Sequence, residues 1–154
     1  TVRPNLSKIK GAQRMKESIE IRIAHIVFDC ANPSALAEFY VNLLGWDEKR
    51  DINPGWSVVG KQGVSPLLLF QQAEDYKPPV WPDEHEAQRQ MVHIDFAVED
   101  IGKAVQHAIT CGAKVADNQY SSKWTVMIDP AGHPFCFVQN PSLVESIFFE
   151  KRED

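Results

Sequence analysis

The chain has 154 residues, 44% of them hydrophobic and 24% charged, with a formal net charge of −5; this excludes a fibrous or disordered polypeptide and is enough for one compact core. The negative balance speaks against nucleic acid or an anionic membrane as a partner. No apolar run approaches the about 18 residues that a membrane helix needs, so a cytoplasmic location is expected.

Residues 1–20 carry Arg3, Lys8, Lys10, Arg14 and Lys16 ahead of the first acid, Glu17, with Met15 among them; this stretch reads as a flexible leader or tag. "IAHIVFD", from Ile23, then reads as a strand. Alternation sends Ala24, Ile26 and Phe28 toward a helix and His25, Val27 and Asp29 to the opposite face. In "NPSALAEFYVNLLG", Asn32 suits an N-cap, Pro33 the first helical position and Gly45 the stop, with Leu36, Phe39, Tyr40, Leu43 and Leu44 as one stripe. Strand-like runs follow at about 46–51, 55–60 and 66–72. The connection over 73–90 is polar and proline-rich but carries Tyr76 and Trp81, so a lid, a docked strap and a plain linker all remain open.

The second half repeats the first. "MVHIDFA" aligns with "IAHIVFD", placing His93 on His25 at an offset of 93 − 25 = 68. The same offset puts Trp124 on Trp56, Pro134 on Pro66 and Cys136 on Leu68. "EDIGKAVQHAITCG" supplies a second helix with the stripe Ile101, Ala104, Val105 and Ala108 and the stop Gly112. Strand-like runs at about 113–119, 123–128 and 133–139 complete it. The fold expected is α+β: two tandem βαβββ modules, 21–72 and 91–140, forming one domain over 21–140. In the tail over 141–154, Leu143, Val144, Ile147 and Phe148 lie at helical spacing.

Two curled modules would enclose a cavity between their non-helical faces, lined by His25, His93, Asp29 and Asp95. In the last strands, Leu67, Leu69, Phe135 and Phe137 are assigned to the helix side. Leu68, Phe70, Cys136 and Val138 are assigned to the cavity, an assignment that a bulge would flip. Ligand contacts are accordingly expected from Trp56, Phe70, Trp124 and Cys136. The match of Trp56 with Trp124 also fits plain core architecture. His93 and Asp95 form an H-x-D pair that suits two metal ligands, a hydrogen-bonded cavity pair, or a catalytic general base. Cys136 as thiolate would favour zinc; flanked by phenylalanines, it also fits an inert core residue. His133 reads as part of a structural turn, and His85 and His107 as exposed. Cys30, Cys111 and Cys136 lack C-x-x-C spacing, which points to no disulfide framework and no structural zinc knuckle. There is no G-x-S-x-G, P-loop or dinucleotide glycine pattern.

The central-His strand, "FYVNLLGW", "HIDFAVED" and "DPAGHPFCF" resemble the glyoxalase, bleomycin-resistance and dioxygenase group, the vicinal oxygen chelate superfamily, over about residues 21–140. "LLLFQ" and "DYKPPVWPDE" resemble the glyoxalase-like domain proteins more closely still. The resemblance implies a curved mixed sheet around a central cavity, a small-molecule ligand and a homodimer. Metal-dependent members take one ligand from the first and one from the last strand of each module. Carried over, these positions fall on His25 and His93, then on Leu68 and Cys136, where neither residue is the usual carboxylate. Leucine cannot ligate, and two histidines alone hold a divalent ion weakly. A lyase, isomerase or dioxygenase and a metal-free ligand-sequestering protein both remain open.

Overall fold

Asn32 and Asp100 start the two helices in the same way, each accepting a backbone N–H three residues on: from Ala35 at 3.1 Å and from Lys103 at 3.0 Å. The computed structural model describes residues 20–139; the stretch expected to be a leader or tag, up to residue 19, and that expected to be a helical tail, 141–154, lie outside the described residues. Each module runs strand, helix and three strands. The first comprises β1 (His25–Cys30), α1 (Pro33–Leu44), β2 (Glu48–Asn53), β3 (Trp56–Gly60) and β4 (Leu67–Gln72). The second comprises β5 (Asp95–Val98), α2 (Ile101–Cys111), β6 (Lys114–Val115), β7 (Trp124–Ile128) and β8 (Pro134–Gln139). Both helices stop at the expected glycines, Gly45 and Gly112, in left-handed conformation. No helix of the described residues is long and apolar enough to cross a membrane.

The architecture is α+β with two tandem βαβββ modules, and each module contributes a four-stranded sheet, β1-β4-β3-β2 and β5-β8-β7-β6. Each sheet is mixed: β1 runs parallel to β4 and β5 to β8, while the other neighbours are antiparallel. The modules share one core on their helix sides, where Leu36, Phe39 and Tyr40 of α1 meet Phe135 and Phe137 of β8. Strand β6 is much shorter than expected because the Gln119 side chain takes over the ladder. Its Nε2 donates to Ala116 O and Val126 O, and its Oε1 accepts from Val126 N, all within 2.9 Å.

The register corrects the face assignment in the first module. Parallel neighbours share a face, and β1 pairs Ile26 with Leu68 and Phe28 with Phe70. Leu68 and Phe70 therefore lie in the helix-side core, Phe70 in contact with both Phe28 and Tyr40 and fully buried. Neither faces a cavity. In the second module Asp95 pairs with Cys136, which leaves Cys136 on the non-helical face, as expected. The offset of 68 that relates the other strands thus drops to 136 − 69 = 67 in the last one, so the counterpart of Cys136 is Leu69. One residue of slip inverts the face.

Candidate functional site

On the non-helical face of the second sheet, three different donors converge. Asp95 opens β5 and Cys136 stands beside it on β8, while His93 precedes β5 by two residues and so points to the same side. One ligand atom from each lies within 4.8 Å of the others, and His93 Nε2 is 3.3 Å from the Asp95 carboxylate. The His93 and Asp95 side chains stay partly open to solvent, whereas Cys136 is buried. Burial, then the charge of Asp95 beside it, push the Cys136 thiol up to about 12. Thiolate, imidazole and carboxylate are a donor set that suits zinc, with a fourth position left for water or substrate. The residues therefore fit a divalent ion.

His25, the other histidine expected to ligate, does not belong to this group. Its module offers the equivalent positions His25, Val27 and Leu69, with one donor among them. Trp56 and Trp124 both lie on the non-helical faces, paired with Gln71 and Val138. Trp56 lines a shallow cleft with Asn32 and Gln72 instead of a central cavity.

The connection over 73–90 is a docked strap. Val80 N donates to Gln88 O at 2.8 Å, and Trp81 packs on the cluster of Ala116, Val126 and Cys136. Pro78 lies so close to Gly132 that a side chain there would stand 2.5 Å from the proline Cβ. Beneath the strap a cavity of about 460 Å³ opens between the modules. Apolar walls come from Ile26, Phe28 and Phe135, polar ones from Asp29, Tyr76 and His133. His93 forms part of its wall and is 3.4 Å, at Nδ1, from Gln90 Nε2.

A second polar cluster borders this cavity, and the residue patterns did not announce it. The Asp129 side chain is fully buried. It accepts from the backbone N–H groups of Ala131 and His133 at 2.9 Å, from Tyr40 OH at 3.0 Å and from His133 Nδ1 at 3.0 Å. Burial first, then the charge of Asp129, holds the Tyr40 phenol well above its ordinary value. The readable signal was the spacing in "DPAGH", where an aspartate can bond its own turn two and four residues on. That Tyr40 from the other module completes the cluster was not readable. His107, expected to be exposed, also has its Nε2 within 3.2 Å of the Asn42 and Leu43 carbonyls at the end of α1.

Comparison with known proteins follows the same lines. A family model described as "Glyoxalase-like domain" matches residues 25–138. A glyoxalase/bleomycin resistance protein/dioxygenase family enzyme from Burkholderia phytofirmans is 14% identical, covering 77% of this chain and 98% of its own, with a TM-score of 0.57. Glyoxalase I from Leishmania major is 17% identical over 87% of this chain and 97% of its own, with a TM-score of 0.59. A glyoxalase family protein from Enterococcus faecalis is 20% identical over 76% of this chain and 96% of its own, at 0.54. These likenesses are of fold. No curated protein sequence matches the chain.

Proposed function

Because the chain belongs to the glyoxalase-like domain family, we propose that it acts on a small molecule at the open face of its second module, as a lyase or isomerase using a divalent ion held by His93, Asp95 and Cys136. The observation that supports this reading most is the convergence of those three donors within 4.8 Å. A divalent ion there supplies a Lewis acid for neighbouring substrate oxygens. Trp81 shields the thiol on its apolar side. The exposed edges of His93 and Asp95 leave a way in for substrate.

Reconstitution with cobalt tests the reading. A thiolate-to-cobalt absorption band, lost in Cys136→Ser, is the expected result; a cobalt spectrum without that band would remove Cys136 from the ligand set. One observation favours a second reading, a metal-free ligand-binding or sequestering protein. The Asp95 carboxylate already has His93 Nε2 as a partner at 3.3 Å, so the group needs no ion to be paired. Under that reading no cobalt is retained after gel filtration.

Pairing of two copies completes the proposal. Ile23 and Met91, equivalent in the repeat, are both exposed, as are Ile21 and Val92. They precede β1 and β5, each the terminal strand of its sheet among the described residues, and exposed apolar residues beside sheet edges invite a partner. A cytoplasmic location suits the three free cysteines.

A further inference from the structure

The cavity beneath the strap holds charge and hydrogen-bonding groups that the metal reading does not use. Tyr76 OH lies 2.9 Å from Ala131 O and 3.2 Å from His133 Nε2. A phenol has one proton, so both contacts are hydrogen bonds only when that proton goes to the carbonyl and the imidazole donates from Nε2. His133 Nδ1 meanwhile faces the Asp129 carboxylate at 3.0 Å. In that arrangement both nitrogens of His133 donate, Nδ1 to Asp129 and Nε2 to Tyr76. Across the same cavity, the side-chain oxygen of Gln90 is buried and has no hydrogen-bond partner. An unpaired buried acceptor in a cavity wall calls for a donor from outside the chain.

We propose that this cavity is a binding site for a small aromatic acid bearing a hydroxyl group. His133, held by Asp129, takes the carboxylate at Nε2, and the Gln90 carboxamide oxygen takes the hydroxyl. Phe28, Tyr40 and Phe135 supply walls for the ring. The volume of about 460 Å³ suits a ligand of that size. Arg89, also in the lining, is paired with Asp83 at 3.6 Å, while Asp29 offers the hydroxyl a second acceptor. Tyr76 holds the place of the carboxylate oxygen and gives it up on binding. The site is separate from the metal group, with His93 as their common wall.

Calorimetric titration of the full chain with 4-hydroxybenzoate and benzoate tests the proposal, with zinc binding read on the same preparations. Saturable binding of 4-hydroxybenzoate is expected, with benzoate about tenfold weaker because Gln90 stays unpaired. His133→Gln should weaken 4-hydroxybenzoate by about tenfold or more. Tyr76→Phe, which removes the competing hydroxyl and keeps the ring, should bind it at least as tightly as the unaltered chain. Absence of saturable binding at low-millimolar concentration, in protein shown to be folded by circular dichroism, overturns the proposal. So does weaker binding by Tyr76→Phe with no effect of His133→Gln, since the cluster would then only fasten the strap. Zinc binding without probe binding defeats this site alone, and probe binding without zinc defeats the metal reading alone.

Discussion

The two modules share one architecture and differ in what their open faces can do. Where the first carries His25, Val27 and Leu69, the second carries His93, Asp95 and Cys136. The scaffold is duplicated; the donor set is not. Two residue differences produce this: a carboxylate in place of Val27, and a cysteine in place of Leu69. Both last strands pack their helix-side residues into the shared core, Leu68 and Phe70 in the first module and Phe135 and Phe137 in the second. Duplication supplies a frame with two equivalent sites, and chemistry needs only one of them to be furnished.

The comparison breaks most visibly at Phe70. If it belongs to the core, Phe70→Ala costs about 3–5 kcal/mol in denaturant unfolding. A loss below about 1 kcal/mol would return it to an exposed face. Leu68→Ala should likewise cost about 2–5 kcal/mol, and clearly more than Leu69→Ala on the opposite face. A smaller effect separates two glycines of positive φ. Gly132→Ala must push back Pro78, whereas a side chain at Gly45 meets nothing within 4 Å. Beyond the backbone strain common to both, Gly132→Ala should therefore lose about 1–3 kcal/mol more, and proteolysis within the strap should quicken. Equal losses at the two positions would show that the strap is not seated on Gly132.

The smallest expected effect lies in alkaline pH. Burial pushes Cys30 up to about 11 and Cys136 up to about 12, from an ordinary value of 9.0. The unfolded chain releases these protons first, so their contribution is flat below pH 9.0 and stability falls as pH rises from there toward 11 and 12. Cys30→Ala should lessen that fall between pH 9.0 and 11, and Cys136→Ala between pH 9.0 and 12, as followed by the urea midpoint. A midpoint unchanged between pH 9.0 and 11 would mean that the thiols are freely hydrated.

Periodicity and punctuation made the modules legible. Asn32, Pro33 and Gly45 bound α1 as their residue types demand, and the His-centred repeat aligned β1 with β5. What the sequence concealed was register. A single offset made Leu68 the counterpart of Cys136, and in a strand one residue of slip exchanges the faces. His93 and Asp95 were legible as a pair by alternation, while their union with Cys136 depended on the β5–β8 register. The Asp129 cluster was least legible, because Tyr40 and Asp129 lie 89 residues apart and meet only through the packing of one module on the other.

The central claim, that the second module alone holds the metal, is most directly tested by measuring zinc stoichiometry after dialysis. The unaltered chain and His25→Ala should each retain about one zinc per chain, and Cys136→Ala and Asp95→Ala much less. Zinc lost from His25→Ala as completely as from Cys136→Ala, or none retained by the unaltered chain, would contradict it.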